Sequence, residues 1–80
     1  MPPLSQFKRF DVREMIRDGI EPCPEIRKRI DAMAAGKGLL LIAPFLPSPL
    51  IEILNGEGLA SKIEPGAGGC WMIYFWREND

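Results

Sequence analysis

The chain has no histidine, only two cysteines and one tyrosine, and no excess of charge of either sign. Without an imidazole, Ser-His-Asp and Cys-His nucleophilic catalysis are excluded, and so is every zinc site that includes histidine. Two cysteines cannot build a structural zinc site alone, so neither a metal nor another cofactor is expected. Ten basic residues against eleven acidic ones leave a net charge of −1. Such a balance gives no general attraction to phosphate backbones or anionic lipid, and nucleic acid is not an expected partner. Long apolar runs are also missing, and Met1-Pro2-Pro3-Leu4-Ser5 has no basic stretch leading into an apolar one. No membrane span or secretory signal is expected, which places the chain in the cytoplasm. In that reducing compartment the two cysteines read as free thiols or as a transient redox pair.

What is present is one small domain over residues 1–80, with the first six residues expected as a flexible arm and an apolar fraction of 46%. That fraction is enough for a core without metals or cross-links. Phe7 to Arg13 alternates apolar and charged residues, with Phe10 and Val12 on one side, as a half-buried strand does. Glu14 to Glu21 reads as a loop or a short turn of helix. Ile26, Ile30, Met33 and Ala34 recur at helical spacing, which predicts a helix over Pro24 to Ala35 with Gly36 as its stop. Leu39 to Ile42 is a continuous apolar run suited to a central strand.

Three prolines, Pro44, Pro47 and Pro49, stiffen the loop that follows. Ser48 then caps a second helix through Leu50, Ile51, Ile53 and Leu54, ended by Gly56. Leu59 to Glu64 is a further strand, Pro65 to Gly69 a turn, and Cys70 to Trp76 the strongest strand by residue type. The order β-α-β-α-β-β makes the crossovers parallel and lets the last strand return antiparallel. The expected architecture is an α/β two-layer sandwich, a four-stranded mixed sheet with two helices on one face.

Cys23 stands where the first of these helices begins, in Gly19-Ile20-Glu21-Pro22-Cys23-Pro24-Glu25. Proline is favoured at the first helical position, which makes Pro24 that residue and Cys23 the cap. Unpaired N–H groups and the positive end of the helix dipole then favour the thiolate, and Arg27 one turn on could add a cation. Glu21 and Glu25 oppose this, and a cysteine at such a junction can equally be a small packed hydrophobe.

Asp11-Val12-Arg13, then Gly19-Ile20, then Cys23-Pro24-Glu25 resemble the D-x-R-G-L-x-C-P-x-P stretch of the TusA/SirA-like sulfur-carrier family. Glu21-Pro22 also resembles related uncharacterised domains of the same fold, which carry a proline-rich stretch there. The resemblance implies a βαβαββ fold shared with the C-terminal domain of translation initiation factor three, with the last strand between the second and third. It implies that Cys23 relays a persulfide sulfur between a donor and an acceptor protein. It implies too that Arg13 holds the loop after the first strand by bonding backbone carbonyls.

In this topology Cys70 shares a sheet edge with Cys23, as a buried strand residue or as a resolving thiol. The last strand sends Trp71, Ile73 and Phe75 one way and Met72, Tyr74 and Trp76 the other. The uncovered set predicts a homodimer or partner surface, unless the Pro2 to Phe7 arm folds over it. Sulfur relay on Cys23 is therefore one expected function. The other is a non-catalytic interaction or regulatory domain of the same fold, and a Cys23–Cys70 redox switch is a third.

Overall fold

A computed structural model describes residues 1–77. A 3-10 turn at Leu4–Gln6 leads into β1 (Phe7–Asp11), followed by α1 (Arg13–Arg17), α2 (Cys23–Asp31), β2 (Gly38–Ala43), α3 (Ser48–Gly56), β3 (Leu59–Pro65) and β4 (Trp71–Arg77). The result is a small α+β domain with one four-stranded mixed sheet and three helices. Its strand order is β1-β2-β4-β3, so β4 lies inside, between β2 and β3. β1 and β2 run parallel, and β4 is antiparallel to both of its neighbours.

The register explains the core. Leu39, Leu41 and Ala43 of β2 lie opposite Phe75, Ile73 and Trp71 of β4, all on one face. Ile26 and Ile30 of α2 and Ile51 and Leu54 of α3 pack onto that face together with Phe10 and Val12. Phe75, Ile73, Ile30 and Leu54 have no exposed surface. Apolar residues on both faces of β2 agree with its inside position, since only a strand covered on both sides reads as a continuous apolar run.

Several sequence expectations need correction. Two helices, not one, join β1 to β2, because Val12 leaves the strand and Arg13–Arg17 winds one short helix of its own. That helix stops in a Schellman arrangement. Gly19 takes φ 77°, its N–H donates to the Ile16 carbonyl at 3.1 Å, and the Ile20 N–H donates to the Met15 carbonyl at 2.8 Å. Helix α2 ends at Asp31 rather than Ala35. The guanidinium of Arg77 on β4 donates at 3.0 Å to the Ile30 carbonyl, which also accepts the Met33 N–H at 3.2 Å. Pro22 and Pro47 hold the N-cap positions of α2 and α3, which places Cys23 and Ser48 inside the first turn instead of at the caps.

The other sheet face is less open than its residue types suggest. Tyr74 and Trp76 are only 7% and 9% exposed. Phe7 stands edge-on to both rings, with centroids 5.3 Å and 6.3 Å away. Phe7 itself lies opposite Gly38, where its ring fills the space a Cβ would need. The first residues are tied down rather than free, since Leu4–Gln6 is a 3-10 turn and the Lys37 ammonium donates to the Gln6 side chain. Among the described residues no helix is long and apolar enough to cross a membrane.

Candidate functional site

The carboxyl ends of β1 and β2 open into a groove, the place where sheets with parallel strands commonly hold ligands. Its volume is about 290 Å³, and its walls come from Val12, Ile16, Ile26, Leu41, Ala43 and Leu50. Ile20, Glu21, Cys23 and Phe45 complete it. Ile20 and Phe45 are 51% and 52% exposed. The tight end of α1 at Gly19 brings Ile20 to the groove, and the proline-bounded segment after β2 does the same for Phe45. A space of this size, at the small end of ligand pockets, suits an apolar side chain or ring.

Cys23 is exposed and is the first residue of α2. Its surroundings oppose ionisation. The Cys23 N–H donates to Oε1 of Glu21 at 3.2 Å. A hydrogen bond from the thiol to the Glu21 carboxylate, followed by burial and the carboxylate's charge, raises the thiol pKa above its ordinary value. The same bond lowers the pKa of Glu21. The carboxylate thus takes the place at the helix terminus that a thiolate would have used.

The other residues singled out in the sequence fall into separate groups. Gly19 and Pro22 line the groove with Cys23. Pro24 is the second residue of α2, and Glu25 points along the helix to Arg29 at 3.4 Å. Arg27 does not serve Cys23. Its Nη1 and Nη2 grip the two oxygens of Glu57 at 2.5 Å and 2.7 Å, joining α2 to the end of α3.

Asp11 and Arg13 form a closed pair of their own. The Arg13 N–H and Nε donate to Asp11 Oδ1 at 3.0 Å and 2.9 Å, and Nη2 donates to Oδ2 at 2.6 Å. Arg13 therefore holds the loop through a carboxylate and not through backbone carbonyls. These bonds lower the pKa of Asp11 to about 2.

Cys70 is buried just before β4, and its thiol donates to the Ala67 carbonyl at 3.2 Å. Its sulfur packs against Gly66. Both cysteines are free thiols with different partners. Among the described residues no group of three or more Cys, Asp and Glu side chains is placed to hold a metal ion.

The residues that sequence reasoning missed are the apolar walls, above all Ile20 and Phe45. Their signal was available: large apolar residues in segments read as loops, where water contact would be costly without a purpose. No curated protein and no solved structure matches the chain. One family model does, over residues 9–77, a span that takes in the end of β1, the other three strands, the groove and both cysteines. The chain accordingly belongs to the family described as Uncharacterized conserved protein (DUF2249).

Proposed function

We propose that this domain is a binding module whose working surface is the groove beside Cys23, and that its occupant is an apolar side chain of a partner protein. The observation that carries this reading is the apolar hollow beside Cys23, whose backbone N–H is held by the Glu21 carboxylate that also raises the thiol pKa. Such a cysteine is a wall and a weak hydrogen-bond donor more than a nucleophile. Titrating isotope-labelled protein with N-acetyl-phenylalaninamide and N-acetyl-leucinamide tests it. Saturable amide shifts are expected around Ile20, Cys23 and Phe45, retained in Cys23→Ser and lost in Phe45→Asp. Shifts that never localise, or that survive Phe45→Asp, count against the groove.

A second reading is favoured by the exposure of the Cys23 thiol at that same groove. It makes the domain a TusA/SirA-like sulfur relay with the translation-initiation-factor-like fold. In the step itself the Cys23 thiolate attacks the terminal sulfur of a donor persulfide, the donor S–S bond breaks, and the donor cysteine leaves as thiolate. Cys23 then carries the sulfur as a persulfide for an acceptor protein, with no net oxidant consumed. Incubation with a cysteine desulfurase and cysteine, followed by intact-mass measurement, separates the two readings. An adduct of one sulfur that vanishes in Cys23→Ser favours the relay, and an unmodified protein favours the binding module.

A further inference from the structure

A second cavity lies at the opposite end of the sheet, between the start of β1, the start of β2 and the end of α2, with a volume of about 420 Å³. Met33 and Leu39 give it an apolar floor, while Lys8, Arg29 and Lys37 bring three cations to its lining. Among the described residues no aspartate or glutamate lines it. Arg29 is held in place, with its guanidinium 4.0 Å from the centre of the Phe10 ring and Nε 3.4 Å from Glu25. Lys37 is steadied by Gln6, and Lys8 has no ion pair among the described residues. With Arg29 offset by Glu25, the two ammonium groups supply the positive charge left uncompensated among the described residues.

We infer that this cavity is a binding site for an organic carboxylate with an apolar body, its carboxylate between Lys8 and Lys37 and its body against Met33 and Leu39. The volume lies in the range of ligand pockets, and an apolar lining with a few convergent polar groups is their usual make-up. A phosphate is a poorer match. Phosphate sites are built from glycine-rich loops and helix N-termini, whereas α2 reaches this cavity with its C-terminal end. Charge-assisted hydrogen bonds from ammonium to carboxylate give the anion its advantage over a neutral isostere.

The test is a titration of isotope-labelled protein at low salt with 2-naphthoate and, separately, with neutral 2-naphthamide. The carboxylate is expected to bind about tenfold more tightly than the amide, the gain of a hydrogen bond to a charged group. Its shifts should map to Phe7, Met33 and Lys37. In Lys8→Gln/Lys37→Gln, whose exposed substitutions leave the core untouched, that preference should disappear while the amide still binds. Equal affinity for both probes, shifts centred on the Cys23 groove, or an unchanged preference in the double variant would each overturn the assignment. The Cys23 groove is read by other probes and other amides, so either site can fail without the other.

Discussion

One carboxylate oxygen of Glu21 accepts the backbone N–H of Cys23 at 3.2 Å, and the carboxylate beside the thiol raises its pKa. A residue two positions upstream thereby reverses what the helix terminus would do to the sulfur. Alkylation of Cys23 by iodoacetamide, followed against pH in the Cys70→Ala background, should rise at higher pH than for an ordinary thiol. Glu21→Gln should shift that profile to lower pH and speed alkylation several-fold near neutral pH. An unchanged profile would mean that Glu21 does not govern the thiol.

Arg27 offers the complementary test. Its side chain was the expected cation for Cys23, but both of its terminal nitrogens are engaged by Glu57. Arg27→Gln should leave the Cys23 alkylation rate within about twofold, because a partly exposed charge already paired elsewhere acts weakly over distance. The same substitution should lower stability slightly, and a double-mutant cycle with Glu57→Gln should return a favourable coupling that shrinks as salt is raised.

The strands were legible because their residue types and periodicity agree with their burial. Leu39 to Ile42 reads as a central strand and becomes one, and Cys70 to Trp76 is displaced by a single position. Helix α1 was legible only as one of two alternatives, a loop or a short turn of helix. Five residues with neither a side-chain cap nor a fully buried position carry almost no periodic signal, and their turn is held by contacts at Val12 and Gly19. Of the site, the placement of Cys23 in the first turn of a helix was readable from its flanking prolines. Its electrostatics were only half readable. Sequence distance put Glu21, Glu25 and Arg27 all within reach, and the fold chose Glu21 by sending Glu25 to Arg29 and Arg27 to Glu57.

Asp11 supplies a pH dependence with a definite sign. Its pKa falls from 3.8 to about 2 through the hydrogen bonds from Arg13. A carboxylate with a depressed folded-state pKa stabilises the fold above its unfolded value, and the gain is lost as pH falls through the folded one. The contribution is small, below about 1 kcal/mol, because the pair is partly exposed to solvent. Urea denaturation of the protein and Asp11→Asn should differ by a constant amount near neutral pH and converge between about pH 4 and pH 2. A difference that persists at the acid end would assign the effect to geometry instead of charge.

Two glycines should respond in opposite directions to alanine. At Gly38 the Phe7 ring occupies the position of the new methyl group, so Gly38→Ala should cost about 1–3 kcal/mol by overpacking. At Gly56, the last residue of α3, nothing lies within 4 Å of the added atom and φ is not positive. Gly56→Ala should therefore stabilise by about 0.4–1 kcal/mol, through a less flexible unfolded chain. Thermal melts of the two variants check both signs at once.

Phe7 also decides how much apolar surface the second sheet face offers to another molecule. Its ring stands nearly perpendicular to Tyr74 and Trp76, at interplanar angles of 89° and 82°, and these edge contacts help leave both residues buried. Removing the ring should cost about 1–3 kcal/mol, less than a fully enclosed phenylalanine because Phe7 is only half-buried. The newly uncovered indole and phenol would then form part of a continuous apolar stripe with Leu40 and Ile42. Sedimentation velocity over a concentration series should show Phe7→Ala associating more strongly than the unmodified chain. If the unmodified chain already forms a dimer that Phe7→Ala weakens, Phe7 is itself part of an interface between two copies. In that case the homodimer expected from the aromatic residues uses this ring as a contact and not as a lid.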